Sequence, residues 1–90
     1  MTKNEVDMKY GKVKRWTVKL VNELMNDLGA YSSGVRLETV KDYNNRIYGT
    51  RPLVPTNRGR WVLSLGDSRY VSESLDEVAT KLIYSYASFN

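Results

Sequence analysis

The sequence predicts an α+β domain with an N-terminal helix, a small antiparallel sheet of three to four strands and a C-terminal helix. Three observations carry that expectation. Apolar residues recur at helical spacing between Val13 and Leu28, and again between Leu75 and Tyr86. Between these stretches, RWVLSLGDSRYVS has the β-branched and aromatic content of paired strands around a Gly-Asp turn. Two amphipathic helices and a small sheet bury each other's apolar faces in a two-layer sandwich. Ninety residues suffice for one such domain with one modest core.

MTKNEVDMKYG is polar, shows no period and is broken at Gly11, so residues 1–12 are expected to be a flexible N-terminal segment before a single domain over 13–90. From Val13 a helix is predicted. Trp16, Leu20, Leu24 and Leu28 recur every fourth residue, Val13, Val21 and Met25 widen the stripe, and Gly29 supplies a C-terminal cap. Lys12, Lys14, Arg15 and Lys19 fall on the first half of this helix, the wrong sign for the positive end of its dipole.

AYSSG is a loop, and VRLETVKDYNNRIYGT after it is ambiguous. As strand, Val35, Leu37 and Thr39 alternate with Arg36 and Glu38, and Asn44-Asn45 suits a hairpin turn. As helix, Leu37, Val40, Asn44 and Ile47 give an imperfect stripe with Tyr43 beside it. The β-branched and aromatic content favours strand. If 36–48 is helical instead, the chain becomes a winged helix-turn-helix.

RPLVPTNRG is a loop, because Pro52 and Pro55 remove two backbone donors. In the hairpin that follows, Gly66-Asp67 fits a type II′ turn, which sets Leu63 opposite Tyr70 and Val62 opposite Val71. Ser74 and Glu77 have the spacing of a capping box. Leu75, Val78, Ala79, Leu82, Ile83 and Tyr86 form the apolar face of the closing helix, which runs to about Ala87 with Phe89 folding back.

Composition narrows function by exclusion. The chain has no cysteine, which removes disulfides, thiolate metal sites and a cysteine nucleophile together. It has no histidine, the residue on which most metal and acid–base sites depend near neutral pH. The serines therefore lack an imidazole to activate them, and neither YGTRP nor NRGRW has the glycine spacing of a nucleotide-binding loop. A non-enzyme without cofactor or metal is expected. No stretch has the pattern of a signal peptide or a membrane span, so the expected setting is cytoplasmic and membrane-free.

The net charge of +4 conceals a division. Residues 1–60 hold twelve Lys and Arg against six Asp and Glu, whereas residues 61–90 hold two against four. The stretch RIYGTRPLVPTNRGR, residues 46–60, contains four arginines and no acid. Guanidinium forks fit phosphate oxygens, and a loop stiffened by proline loses less entropy on docking. The candidate binding residues are Lys12, Lys14, Arg15 and Lys19 at the first helix, with Arg46, Tyr48, Arg51, Arg58 and Arg60 in the loop region. Lys12, Arg15 and Lys19 would share one helix face, while Trp61 is expected in the core. The expected partner is a nucleic acid, DNA or RNA, bound by a small regulatory protein; the alternative is an acidic protein surface, bound by an interaction or inhibitor protein. Solubilisation is the competing explanation for the charge.

The order helix, three strands, helix, with LVNELMNDLG leading into the sheet, loosely resembles a double-stranded-RNA-binding domain over residues 16–88. That resemblance implies phosphate contacts from lysines at the start of the last helix, where this chain has Asp76-Glu77. PLVPTNRGRWVL resembles the approach to a wing strand in winged helix-turn-helix proteins, which implies a groove-binding helix presenting Arg36, Lys41 and Arg46. The richness in tyrosine, asparagine and serine resembles that of small phage-encoded proteins.

Overall fold

The computed structural model describes residues 1–88. The elements run α1 (Lys3–Tyr10), α2 (Val18–Asp27), a 3-10 turn (Ala30–Ser33), β1 (Val35–Thr39), α3 (Val40–Ile47), β2 (Trp61–Leu65), β3 (Ser68–Ser72) and α4 (Leu75–Tyr86). The three strands form one antiparallel sheet in the order β1-β2-β3. The α+β class therefore holds, with a helix at each end of the described chain.

The N-terminal segment differs from expectation. Thr2 and Glu5 form a full capping box: the Thr2 hydroxyl accepts from the Glu5 N–H, and the Glu5 carboxylate accepts from the Thr2 N–H. Helix α1 buries Val6 and Tyr10 against the main core. Its start is tied to the end of α4, since Lys3 N–H donates to the Ser88 carbonyl at 2.8 Å and Ser88 N–H to the Met1 carbonyl at 3.1 Å. Phe89, expected to fold back, lies outside the described residues.

Helix α2 begins later than its apolar spacing suggests. Thr17 is the N-cap, its hydroxyl accepting from Leu20 N–H at 3.2 Å, so Val13 to Trp16 are not helical. Val21, Leu24, Met25 and Leu28 are buried, whereas Leu20 is half-buried. Gly29 adopts a left-handed φ of 70° and closes the helix as expected.

The ambiguous stretch resolves into both forms in sequence. Val35–Thr39 is strand, and Val40–Ile47 is a separate helix capped by Thr39, whose hydroxyl accepts from Asp42 N–H at 3.1 Å. Asn44-Asn45 is thus helical and makes no hairpin turn. The Asn44 amide instead clasps the following loop, donating to the Val54 carbonyl at 2.9 Å and accepting from Val54 N–H at 2.8 Å. Helix α3 is followed by a loop, with no second helix to complete a helix-turn-helix.

The hairpin matches its predicted register, Leu63 opposite Tyr70 and Val62 opposite Val71. Gly66 has φ 67° and Asp67 does not have positive φ, as a type II′ turn requires. Ser74 caps α4 by accepting from Glu77 N–H at 3.3 Å, but its own N–H goes to the Ser72 hydroxyl at 3.1 Å. The cap is therefore shared with the end of β3.

Alternation along the strands then decides the layers. Val35, Leu37, Trp61, Leu63, Leu65 and Tyr70 share one sheet face and pack with α1, α2 and α4. Val62 and Val71 face the other way, onto Val40, Tyr43 and Ile47 of α3 and Val54 of the loop. The expected two-layer sandwich is a three-layer arrangement, because the short helix inserted between β1 and β2 covers the second face.

Candidate functional site

The second sheet face is apolar only at its β2–β3 centre. Arg36 and Glu38 on β1 point to this side with Ser64 of β2 and Arg69 of β3, since they alternate with Val35, Leu37, Leu63 and Tyr70. Four charged or polar side chains therefore surround the small α3 core.

Two arginines are fixed there. The Arg46 guanidinium straddles the Glu38 carboxylate, with Nη2 at 2.6 Å and Nε at 3.0 Å, and lies 5.4 Å from the Tyr43 ring centroid. The Glu38 carboxylate raises the Arg46 pKa further above its ordinary value, so that charge is permanent. Arg69 also lies over the Tyr43 ring, 5.6 Å from its centroid, and donates to the Pro52 carbonyl at 2.7 Å. Buried Tyr43 is the platform on which both cations are oriented.

The loop from Arg51 to Arg60 is held along its length. Arg69 holds Pro52, Asn44 holds Val54, and Arg60 N–H donates to the Ser72 carbonyl at 3.0 Å. Gly59 is pressed against β3 so closely that a Cβ there would stand 2.8 Å from the Ser72 oxygen. Only glycine permits that approach.

A polar hollow of about 530 Å³ opens beside α3, lined by Arg36, Arg46, Thr50, Arg51 and Ser64 together with Gly34, Ile47 and Gly66. Three arginines line it. Glu38 neutralises Arg46, and the exposed Asp67 carboxylate stands 4.0 Å from Arg51, at the limit of an ion pair. Arg36 has no ion-pair or hydrogen-bond partner for its side chain among the described residues. Arg36 and Arg51 are the cations available to a ligand, with Arg46 set in place beside them.

The other candidate residues are scattered. Arg15 and Arg60 meet in a hollow of about 290 Å³ with Trp16, Trp61, Glu73 and Asp76, where acids balance the bases. Trp61 is half-buried and packs against the main core, in line with expectation. Lys12 and Lys14 are exposed in the segment before α2, and Arg58 is exposed on the loop. Lys19 lies in the first turn of α2 beside Asn22, Glu23, Asn26 and Tyr31. The predicted basic helix face does not exist, because Lys12 and Arg15 precede the helix. Residues 46–60 do not form one surface either: Arg46 and Arg51 line one hollow, and Arg60 the other.

Tyr48 is 77% exposed. It follows Ile47 and precedes Thr50, both of which line the arginine hollow. Arg36 entered the sequence expectation only through the winged-helix alternative. The signal for it was strand alternation, which puts it on the opposite face from Val35 and Leu37.

Among the described residues no group of three acidic side chains is arranged to hold a metal ion, and no helix is long and apolar enough to cross a membrane. No protein-family model, curated protein or solved structure matches this chain.

Proposed function

We propose that this protein is a small non-catalytic nucleic-acid-binding protein whose contact with phosphate is made at the arginine hollow beside α3. One observation carries the proposal: Arg36, Arg46 and Arg51 line a single polar concavity from three different segments, and among the described residues Arg36 has no acidic partner while Arg51 has only the exposed Asp67 at 4.0 Å. Guanidinium groups in that setting exchange hydration for bidentate contacts to phosphate and release condensed counterions. A chain without histidine or cysteine gives no basis for assigning a reaction to the hollow.

Titration of a fluorescent oligonucleotide at several salt concentrations tests this. The double variant Arg36→Ala/Arg51→Ala is expected to lower affinity and to flatten the dependence of log K on log salt by about 2. Unchanged binding by that variant, or no salt-dependent binding by the unaltered protein, overturns the proposal.

A protein partner is the second reading, and one feature favours it. Tyr84 of α4 is 76% exposed between two shallow hollows with Ile83, Ala87 and Thr80 on one side and Tyr70 on the other. Capture of one protein that survives nuclease treatment and is lost on Tyr84→Asp would favour this reading over nucleic acid.

A further inference from the structure

Resting on the nucleic-acid reading, we infer that the ligand is single-stranded: a base stacks on Tyr48 while the adjoining phosphate enters the hollow at Arg36 and Arg51. The backbone around Tyr48 is held on both sides. Tyr48 sits just past α3 with φ −50° and ψ 127°, and Gly49 follows at φ 82°, a conformation that favours glycine. Three bonds converge on the Ile47 carbonyl to close this turn, from Thr50 N–H at 2.9 Å, Arg51 N–H at 3.3 Å and the Thr50 hydroxyl at 2.7 Å. The backbone on both sides of Tyr48 is thus fixed, while its ring stands in solvent.

Other exposed aromatics lack that setting. The Tyr31 hydroxyl donates to Asn22, and Tyr84 lies among the apolar and polar side chains of α4. Tyr48 has no hydrogen bond or ring contact among the described residues, and the residues on either side of the Tyr48-Gly49 pair, Ile47 and Thr50, line the hollow. A solvent-exposed aromatic ring on a turn whose flanking residues line an arginine hollow has the parts by which proteins hold unpaired nucleotides, a stacking face and a cationic groove for the backbone. In a duplex each base face is covered by its neighbours, so the ring finds no surface to stack on and only the phosphate contacts remain. The helix beside the hollow, α3, has only eight residues and packs its apolar face on the sheet.

The test compares a single strand with the blunt duplex of the same sequence, each as DNA and as RNA, by fluorescence anisotropy. The single strand, in at least one of the two chemistries, is expected to bind about 10-fold tighter or more. Tyr48→Ala is expected to weaken single-strand binding by about 5-fold to 100-fold, to leave duplex binding unchanged, and Tyr48→Trp to restore the affinity. The exposure of Tyr48 means that these variants fold. Equal binding of duplex and single strand, or indifference to Tyr48→Ala while the salt dependence through Arg36 and Arg51 persists, overturns the single-strand inference and spares the phosphate site. Absence of salt-dependent binding to all four ligands overturns both.

Discussion

Asp27 shows how one side chain can secure an element. Its carboxylate accepts from Lys9 Nζ at 2.7 Å and from the Tyr10 hydroxyl, so the end of α1 is latched to the end of α2. Tyr10 also stacks on Trp16, with ring centroids 5.5 Å apart. The Lys9 bond, then the Tyr10 bond, holds the Asp27 carboxyl below its ordinary value of 3.8. Because the folded value is depressed, the latch contributes stability that is full above the ordinary aspartate pKa and is lost as pH falls through the lowered folded value. Burial, followed by the Asp27 bond, raises the Tyr10 hydroxyl above its ordinary value of 10.0, so at the alkaline end stability is lost only above about pH 10. Asp27→Asn keeps an acceptor for Tyr10 but removes the ion pair. Its urea midpoint is expected to fall by the equivalent of about 1 kcal/mol or less at pH 7, as for exposed pairs, and to lie closer to that of the unaltered protein at pH 3. An equal difference at both pH values would show that Asp27 acts through packing alone.

At the scale of the element, α2 and α3 respond to substitution for different reasons. Leu24 is fully buried among α2, α4 and the sheet, so Leu24→Ala is expected to cost about 2–5 kcal/mol in chemical denaturation. Val40 is the first residue of α3, a position where helices accept proline. Val40→Pro therefore leaves the helix intact. Its cost comes from the lost bond between Val40 N–H and the Arg60 carbonyl, 2.9 Å long, and from the buried valine side chain in the small core. The expected loss is about 1–3 kcal/mol, and the amide signals of the 51–60 loop should shift more than those of α2. Larger shifts in α2 would contradict the separation of the two cores. Lys19, in the first turn of α2, is the one predicted base that does oppose a helix dipole.

For the whole molecule, the consequence is that the sheet has helices on both faces and that the first ten residues belong to the larger core. Removing residues 1–10 would delete Val6 and Tyr10 from that core, along with the backbone bonds to Ser88. Burial of two such side chains contributes about 3–6 kcal/mol, close to the lower end of the ~5–15 kcal/mol that holds a small domain folded. The truncated chain is expected to melt far below the full chain, or not to fold, by far-UV circular dichroism. An unchanged melting temperature would return this segment to the flexible role that its polar composition suggests.

Local patterns determined much of this architecture. The α2 and α4 stripes, the Gly66-Asp67 turn and the hairpin register could be read directly because each depends on residues within one or two turns of each other. The Thr2–Glu5 capping spacing was equally local, yet α1 has almost no apolar periodicity, and its two buried residues acquire their role only where α2 and α4 receive them. Tertiary structure alone decided the switch at Thr39–Val40, where a strand ends because its last threonine caps a helix that covers Val62. It also sorted the basic residues. Their spacing along 46–60 suggested one surface, but the docking of Gly59 on β3 carries Arg60 to Arg15, while strand alternation brings Arg36 to Arg46 and Arg51. Charge density is a property of the sequence; which charges share a hollow depends on contacts between segments far apart in the chain, and no local spacing encodes those.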